Sequence, residues 1–372
     1  MSRIALHIGN DCNLRCTYCY GGGGNYGEVR GSMSKEIIDQ SLAFFLRAAP
    51  NRKNYHILFF GGEPLMYPLL MEYTKKQATL LSKEKDIKFT FSATTNGTIL
   101  NKKVYSLLQN NKMLPMLSID GMPKEHNKYR KTINGRGSFH LISRNIEKFR
   151  NIRDSIFVRV TLARDNINLV SIFDYLKGMK VRTINFLTAT EKEEGSYGLS
   201  EQDFSNLVQE YERLAKKYVQ YILEEKADSL IRINDFVRIL RQLHGHKLKS
   251  YHCGFGQSYL SISSQGDIYP CHRFVGLKKY CMGNVTNPFD IQKLKNYQEL
   301  LNVDSQEKCN NCIAKPFCAG GCYYESALYN EDILKPYELR CQIEQHIVKL
   351  SVLMYQRLVQ SCPEKLKTLL KK

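Results

Sequence analysis

The first 190 residues alternate short apolar runs with amphipathic stretches of helical period. Six runs rich in apolar and β-branched residues predict strands at Ile4–Ile8, His56–Phe60, Ile87–Ala93, Pro115–Ile119, Ile156–Leu162 and Arg182–Leu187. Between them, two apolar sets each share a helix face: Ile38, Leu42 and Phe45, and then Leu141, Ile146 and Phe149. Six β/α units of this size predict an α/β fold, with a parallel sheet curled into an open, partial (β/α)6 barrel.

The rest of the chain has a different pattern of residues. Residues 200–245 predict a long, charged helical region, and Glu338–Ser361 predicts a helix near the C-terminus. Between about Tyr251 and Glu338, cysteine, glycine and aromatic residues become dense and the helical periodicity fades. We therefore predict two domains: a barrel over residues 1–235 and a cysteine-rich extension with a C-terminal helix over residues 236–372.

The composition of the chain indicates its cellular location and the class of partner that it would bind. No apolar run approaches the length of about 18 residues that a membrane helix needs, and the N-terminus carries no signal-peptide pattern, so we expect a cytoplasmic protein. The formal charge of +18 favours an acidic partner such as nucleic acid, an anionic surface or an acidic peptide. No long basic tail or aromatic-interleaved basic segment appears, which argues against nucleic acid. A basic surface without a partner is the alternative.

Twelve cysteines in a chain with no secretory signal indicate metal binding or chemistry rather than disulfides. Three of them, Cys12, Cys16 and Cys19, form the segment CNLRCTYC directly after the first predicted strand, at the edge where barrel enzymes place their active sites. Three thiolates can hold three irons of a four-iron cluster and leave the fourth iron open to a small ligand. A zinc site completed by His7 is the alternative, although structural zinc usually has four ligands in paired knuckles.

Polar motifs follow the next three predicted strands. The second strand ends at Gly61-Gly62-Glu63-Pro64, the third at Thr95-Asn96-Gly97 and the fourth at Ser118-Ile119-Asp120-Gly121. Each motif alone could be a simple turn. Because the carboxyl ends of parallel strands share one edge, the motifs together predict a single site around the cysteine loop.

This order of motifs resembles the radical SAM superfamily over about residues 4–190. The resemblance implies that the enzyme binds S-adenosylmethionine (SAM) at its cluster and cleaves it to a 5′-deoxyadenosyl radical. In that family the GGEP-type motif binds the methionyl amine, the later polar motifs contact the carboxylate and ribose, and the aromatic before the third cysteine contacts adenine. Carried over by position, the SAM-binding residues are Tyr18, Gly61, Gly62, Glu63, Pro64, Thr95, Asn96, Ser118 and Asp120.

Two features beside the cysteine loop allow two interpretations each. Gly21 to Gly24 could bring backbone amides close to the cluster or admit substrate, or they could form a flexible loop. Tyr18, Tyr20 and Tyr26 could form the wall of a substrate cavity, or they could be core residues in a chain that contains 23 tyrosines.

A second cysteine pattern lies near the C-terminus. It reads C-x12-G-x4-C, then C-x2-C-x5-C-x3-C, then a last cysteine, and it resembles the SPASM extension of radical SAM enzymes, with zinc as the alternative. The resemblance implies two auxiliary four-iron clusters. One would be held by Cys309, Cys312, Cys318 and Cys341, and the other by Cys253, Cys271 and Cys322. The latter set lacks a fourth thiolate, so either Cys281 completes it or one iron stays open. Cys362 is interpreted as a packing residue.

SPASM enzymes mostly modify peptides, so the resemblance implies a maturase that forms a thioether, ether or carbon–carbon crosslink in a ribosomally made peptide. The alternative within the family is an anaerobic sulfatase-maturing enzyme, which forms formylglycine. That group carries an aspartate directly after the G-x4-C cysteine, where this chain has His272, a candidate base. His272 could instead form only local hydrogen bonds. Radical SAM chemistry on RNA or a small molecule, and a non-catalytic zinc scaffold, are the remaining alternatives.

The cofactors and partners follow from the same resemblance. We expect SAM, three [4Fe-4S] clusters, a precursor peptide and an external reductant such as flavodoxin or ferredoxin. Cys12 lies so near the start of the chain that no leader-binding module is expected before it. A separate protein, or the basic surface of the enzyme, would then bind the leader.

Overall fold

The computed structural model describes residues 1–153, 155–192, 195–287, 289 and 291–371. Its strands are β1 Arg3–Gly9, β2 Asn54–Gly61, β3 Lys88–Thr95, β4 Leu114–Ser118, β5 Phe157–Leu162, β6 Thr183–Thr188, β7 Arg232–Ile233, β8 Tyr259–Ile262 and β9 Ile268–Tyr269. Its helices are α1 Lys35–Ala48, α2 Pro68–Lys85, α3 Lys102–Asn110, α4 Pro123–Tyr129, α5 Phe139–Ser143, α6 Ile146–Arg153, α7 Leu169–Gly178, α8 Glu201–Glu224, α9 Asn234–His244, α10 Ile291–Leu300, α11 Lys315–Cys318, α12 Tyr323–Asn330, α13 Glu338–Ser361 and α14 Pro363–Leu370.

The chain forms two compact units, each built from three segments. The first unit comprises Met1–Ser118, Asn127–Ser155 and Gly254–Leu300. The second unit comprises Ile119–His126, Ile156–Cys253 and Leu301–Lys372. These units divide the chain differently from the predicted boundary near residue 235, which stays a prediction.

The first unit contains six strands in the order β4-β3-β2-β1-β8-β9. The pairs from β4 to β8 are parallel, and the last pair, β8 with β9, is antiparallel. Four of these strands match predicted runs to within two residues. The sequences of β1 and β2 are mostly apolar, as is typical of strands covered on both faces, whereas β3 alternates phenylalanine with polar residues. The strand β8 was not predicted, and it places residues from the cysteine-rich region directly beside β1.

Strand register separates two faces in the first unit. Tyr55 on β2 packs its ring 4.9 Å from that of Phe45 on α1, so this face of the strand lies against the helix. His7 pairs with Phe60 in the β1–β2 register, and the Phe60 ring lies 4.6 Å from the ring of His272. Because side chains alternate along a strand, His7 and Phe60 lie on the face opposite to Tyr55.

The second unit contains the remaining strands in the order β7-β6-β5, all parallel. The helix α8 begins with a capping box, in which Ser200 and Asp203 bond reciprocally to each other's backbone amides. It packs against α13, which also packs against α9. The helix α13 has the bounds predicted from the sequence, since its apolar positions follow a regular helical period.

Three predicted stretches differ in detail from the structure. The region 200–245 is interrupted after α8 by the short strand β7, which pairs with β6. The stretch around Leu141–Phe149 divides into α5 and α6, because the Asn145 side chain between them bonds to the carbonyls of Gly97 and Thr98. The region 251–338 contains α10, α11 and α12, although its periodicity predicts little helix.

The described helices include none that is both long enough and apolar enough to span a membrane.

Candidate functional site

The first cysteine of the loop, Cys12, is the third residue after β1 and has polar groups close to its sulfur. The backbone amide of Leu14 donates to Cys12 Sγ at 3.4 Å, and Asn96 Nδ2 lies 3.7 Å from the same sulfur. Burial raises the pKa of the Cys12 thiol to about 12, and the negative charge of Glu63 adds to the increase. A thiolate at this position therefore needs a cationic partner, as a cluster iron would supply.

The middle of the loop is hydrogen-bonded to the last residue of α4 and to the residues just after it, within the first unit. The amide of Thr17 donates to the carbonyl of Tyr129 at 2.9 Å, and that of Arg15 donates to Lys131 at 2.7 Å. The buried ring of Tyr18 lies 5.6 Å from the Tyr129 ring. These contacts fix the backbone that carries Cys16 and Cys19.

The GGEP turn after β2 touches the loop backbone directly. The amides of Gly62 and Glu63 donate to the carbonyls of Gly9 and Asp11 at 3.0 and 2.9 Å. A Cβ atom at Gly62 would fall 2.0 Å from the Asp11 oxygen, a backbone atom that cannot move aside. Glycine is therefore required for this approach of two backbones.

Glu63 connects the ends of two strands. Its carboxylate accepts hydrogen bonds from Thr95 Oγ1 and the Asn96 amide, both at 2.7 Å, and from the Leu65 amide at 3.0 Å. Burial raises its pKa to about 7, although these three donors favour the ionised form. The family resemblance implies that the GGEP motif binds the methionyl amine of SAM; the structure adds that Glu63 joins the second motif to the third.

The third motif extends this network to the cysteine loop. Asn96 Nδ2 donates to Asn13 Oδ1 at 2.9 Å, and Asn13 Nδ2 donates to Thr98 Oγ1 at 2.8 Å. Asn145 Nδ2 donates to the carbonyls of Gly97 and Thr98 in the same turn. Neither Asn13 nor Asn145 was predicted from the sequence. Asn13 lies inside the cysteine motif, whereas no local pattern marks Asn145.

The fourth motif is divided between the two units. Ser118 ends β4 in the first unit and is 9% exposed. Asp120 belongs to the second unit, where its carboxylate accepts from the Thr161 amide at 2.9 Å and its carbonyl accepts from Asn166 Nδ2 at 2.8 Å. Asp120 thus has a structural role in its own unit, and its contact with SAM stays a prediction.

Gly24, the last of the four glycines that follow the cysteine loop, is closely packed. Gly24 has a φ of +99°, and a Cβ there would lie 2.7 Å from the Gly62 Cα and 3.0 Å from the Cys12 Cβ. This close approach favours the first of the two interpretations of the segment, in which backbone replaces side chains beside the cluster.

An aromatic cluster adjoins the loop in the first unit. Tyr26 Oη donates to the carbonyl of Gly61 at 2.7 Å, and its ring lies 4.8 Å from that of His7 and 6.0 Å from that of Tyr20. The His272 ring lies 6.5 Å from the Tyr20 ring, with its Nδ1 atom 2.7 Å from Tyr259 Oη. His272 is therefore oriented by a hydroxyl and placed among rings that begin next to Cys19.

His7 is the buried ionisable member of this cluster. It is 0% exposed, and among the described residues neither of its ring nitrogens has a hydrogen-bond partner. Burial lowers its pKa to about 3, so the imidazole is neutral at ordinary pH. Its neighbours are the rings of Tyr26 and Phe60.

Four cysteines predicted to hold one cluster lie in the second unit. Cys309 and Cys318 are buried, and burial raises the pKa of Cys318 to about 12 and of Cys341 to about 11. The Gln345 Nε2 atom, one turn after Cys341 on α13, lies 3.4 Å from Cys312 Sγ. These thiols need cationic partners as Cys12 does, and Cys312 already has an N–H donor at its sulfur.

A buried ionic group lies beside these cysteines. Burial opposes the ionisation of Glu344, but Arg238 and Arg340 hold its pKa at about 2. Arg340 Nη2 lies 2.9 Å from Glu344 Oε1, and Arg238 also bonds this carboxylate. Glu344 and Arg340 line a narrow cavity together with Cys318, Cys322 and Cys341.

The remaining predicted ligands are distributed over both units. Cys271 and Cys281 are half-buried in the first unit, whereas Cys253 and Cys322 lie in the second. The Cys281 Sγ atom lies 3.4 Å from the carbonyl of Gly283. The assignment of these four to a first auxiliary cluster stays a prediction, as does the packing role of the half-buried Cys362.

Two segments of the chain match known family models. Residues 6–176 match the radical SAM superfamily, and residues 253–313 match SPASM, an iron–sulfur cluster-binding domain. The chain is a radical SAM enzyme with a SPASM domain. SAM and iron–sulfur clusters are therefore its cofactors, and the predicted α/β partial barrel with a cysteine-rich extension is confirmed.

This radical SAM enzyme is similar in sequence to the cysteine-type anaerobic sulfatase-maturating enzyme of Clostridium novyi, strain NT. The two are 26% identical over 343 residues, which cover 87% of each chain. Among solved structures it resembles native anSMEcpe with bound AdoMet, at a TM-score of 0.80 and 22% identity over 96% of this chain and 99% of that one. It also resembles Streptococcus suis SuiB bound to its precursor peptide SuiA, at 0.61 and 16% over 91% and 75%. Both structural matches show the fold alone.

The residues present suit the iron–sulfur clusters of a radical SAM enzyme. Buried thiols with N–H donors at their sulfurs are typical of iron–sulfur ligands. Cys12, Cys16 and Cys19 would hold the SAM-binding cluster.

Proposed function

We propose that this enzyme oxidatively modifies a residue of a peptide, forming a thioether, ether or carbon–carbon crosslink in a ribosomally made precursor. The observation that carries the proposal is the position of His272. The residue that follows the G-x4-C cysteine lies in one aromatic cluster with Tyr20, the neighbour of Cys19. A candidate proton acceptor thus lies near the loop that would hold the radical-generating cluster.

In such a reaction the enzyme's own residues would accept a proton, orient the proton acceptor and limit the access of water. When bound, SAM and the clusters supply a 5′-deoxyadenosyl radical, which removes one hydrogen atom from the substrate, and an acceptor for one electron. Closing the crosslink also releases one proton, and His272 is the proposed acceptor, oriented by Tyr259 Oη at 2.7 Å. The buried Phe60 ring, 4.6 Å from the His272 ring, would limit the access of water beside it.

Formylglycine formation in a sulfatase is a second candidate. Relatives named as anaerobic sulfatase-maturating enzymes align over most of both chains, as in the 87% coverage with the Clostridium novyi enzyme. The same positions would serve this reaction, because it too begins with hydrogen abstraction from a peptidyl side chain. The difference is His272, where that group carries an aspartate.

Two partners belong to either candidate. A one-electron carrier such as flavodoxin or ferredoxin would reduce the SAM-binding cluster. In the crosslinking candidate, the leader of the precursor would bind a separate protein or a basic surface of the enzyme. The excess of 54 lysine and arginine residues over 36 acidic residues favours an acidic leader.

The substrate is testable through the genes beside that of the enzyme. Each short reading frame, and the active-site peptide of any sulfatase, is co-expressed anaerobically with the enzyme and analysed by high-resolution mass spectrometry. A crosslink removes two hydrogen atoms and leaves no aldehyde, whereas formylglycine reacts with a hydrazide probe. Cleavage of SAM with no change in any peptide, but with modification of an added RNA or small molecule, would reject both candidates.

The role of His272 is tested on whichever peptide is modified. The His272→Gln variant is expected to keep SAM cleavage without peptide but to lose about 10²-fold or more in product formation, since proton transfer typically contributes that much. His272→Asp, which retains a base, is expected to restore part of the rate. His140→Gln, at an exposed histidine on α5, is the control. Full product formation by His272→Gln would assign His272 only a local hydrogen-bonding role.

A further inference from the structure

A groove of about 750 Å³ opens beside the N-terminal ends of three helices in the first unit. Its floor is apolar and contains Met66, Leu69 and Tyr73. Leu69 is 63% exposed and Met66 is 37% exposed, although both follow the GGEP motif by only a few residues. Exposed apolar side chains grouped in a concavity mark an interaction surface more often than isolated ones do.

The rim of this groove is basic. Lys35 lies at the start of α1, Lys76 lies on α2 and Lys103 lies at the start of α3, with Glu72 as the acidic residue among the lining side chains. In the described part of the chain, none of the three ammonium groups has a carboxylate within 4.0 Å. The Lys35 ammonium lies instead 5.2 Å from the centre of the Tyr73 ring. Helix N-termini add partial positive charge to the same rim.

Tyr67 connects the groove to the cysteine loop. It lines the groove, and its ring lies so close to Gly9 that a Cβ on that glycine would fall 2.1 Å from the Tyr67 Cε2 atom. Gly9 is the last residue of β1 and precedes the first predicted cluster ligand, Cys12, by three residues. The Tyr67 ring therefore packs against the end of the strand that leads into the cysteine loop.

We propose that this groove, rimmed by Lys35, Lys76 and Lys103, is the docking surface for an acidic one-electron carrier protein of the flavodoxin or ferredoxin kind. Charge complementarity selects an acidic partner, and the apolar floor supplies contact area at the centre of the interface. The position selects an electron carrier among acidic partners, because electron transfer slows steeply with distance and the groove residue Tyr67 packs against Gly9, three residues before Cys12. The carrier gives up one electron and the SAM-binding cluster takes it.

This inference requires only the radical SAM reaction and holds whatever the peptide substrate is. For that reason, a result that contradicts this inference would leave the proposed function unaffected, and a result that contradicts the proposed function would leave this inference unaffected. The reconstituted enzyme is assayed for 5′-deoxyadenosine released from SAM, with no peptide present. One series uses sodium dithionite as the reductant, and the other uses a bacterial flavodoxin reduced by NADPH and its reductase.

The test variant is Lys35→Glu/Lys76→Glu/Lys103→Glu. Its matched control is Lys83→Glu/Lys85→Glu/Lys88→Glu, which makes the same charge change at exposed lysines around the other end of α2. At low salt we expect the groove variant to lose about tenfold or more of the flavodoxin-driven rate, and the control to lose less than about twofold. The dithionite-driven rate is expected to stay within about twofold of wild type for both.

Equal losses in the two triple variants would overturn the proposal in favour of diffuse attraction by a basic surface. An unchanged flavodoxin-driven rate in the groove variant would also overturn it. If that variant loses the dithionite-driven rate as well, calorimetric titration with oxidised flavodoxin decides. Binding weakened about tenfold relative to the control supports the groove, and binding equal to wild type rejects it.

Discussion

At the scale of single residues, burial favours the neutral form of two ionisable side chains near the GGEP turn. Burial raises the pKa of Glu63 to about 7 and lowers that of His7 to about 3, because transfer out of water disfavours either charge. Glu63 has three hydrogen-bond donors that stabilise its ionised form. For His7 the described residues supply none. The two residues therefore respond differently to acid.

We predict that His7→Leu makes the protein less sensitive to acid. The native state holds His7 neutral down to a pKa of about 3, whereas the unfolded chain binds its proton near pH 6.5. Between these values the unfolded state binds more protons, so stability falls as pH falls from about 6.5. At pH 5 this contribution is about 2 kcal/mol, and the variant is expected to recover it relative to wild type.

The measurement is anaerobic urea denaturation of both proteins at pH 5 and pH 7.5. His56 and His252 have pKa values lowered to about 4 by burial in both proteins, so only the difference between the proteins reports on His7. The control, His140→Leu, changes an exposed histidine of α5 and is expected to leave the acid dependence unchanged. An equal loss of stability at pH 5 in wild type and His7→Leu would contradict the prediction.

At the scale of elements, α13 carries both a predicted ligand and a residue that acts on another ligand. Cys341 and Gln345 are one helical turn apart, and they therefore point in similar directions from the helix. Gln345 Nε2 lies 3.4 Å from Cys312 Sγ, on a segment 33 residues away. The helix therefore contributes one predicted ligand, Cys341, and also contacts a second one, Cys312, through Gln345.

We predict that Gln345→Leu lowers the reduction potential of the cluster held by Cys309, Cys312, Cys318 and Cys341. An N–H donor at a cluster sulfur stabilises the more negative, reduced state. Loss of one such bond, worth roughly 0.5–1.5 kcal/mol, corresponds to about 20–60 mV for one electron. A redox titration followed by electron paramagnetic resonance measures the shift.

The matched control for this experiment is Gln356→Leu, which changes an exposed glutamine on the same helix. It is expected to leave every cluster potential in place. A shift of the same size in both variants would indicate a general effect on α13 rather than the hydrogen bond to Cys312.

At the scale of the whole molecule, the cysteines are predicted to form groups with separate roles. Cys12, Cys16 and Cys19 lie on one loop of the first unit, and Cys309, Cys312, Cys318 and Cys341 lie in the second. The first group has three thiolates, which leaves a cluster iron for SAM. The second has four, which would complete a cluster and leave it to carry electrons.

We predict about 12 irons per chain after anaerobic reconstitution, from three four-iron clusters. Replacing Cys12, Cys16 and Cys19 by alanine is expected to remove about four irons and all SAM cleavage. Replacing Cys309 and Cys312 is expected to remove about four irons while SAM cleavage persists. Iron and zinc are measured by mass spectrometry of the purified proteins.

Cys362→Ala is the control, since Cys362 lies between α13 and α14 and is not among the predicted ligands. About eight irons in the wild type would show that the cysteines outside the two groups hold no cluster. Zinc in place of iron would contradict the assignment of both groups.

Much of the fold and of the site could be predicted from the sequence, because the signals are local. Most of the predicted strands are short runs rich in apolar residues, and the buried apolar residues of α13 recur at helical spacing. The cysteine loop and the GGEP motif lie directly after strands, so their common edge follows from parallel connectivity. The seven SPASM-type cysteines can likewise be recognised from their spacing in this sequence alone.

The sequence by itself thus determined the fold class and the kinds of cofactor, and it predicted the residues that would hold them. Only the tertiary structure decided which side chains surround those residues. Asn145, Tyr67 and Gln345 act on groups between 33 and 58 residues away in the chain, and no local pattern marks such partners. The division of Leu141–Phe149 into two helices has the same cause, since Asn145 bonds a distant turn there. Long-range hydrogen bonds and close packing exist only once the chain has folded, and they determine where the cysteine loop is held and where a partner can reach it.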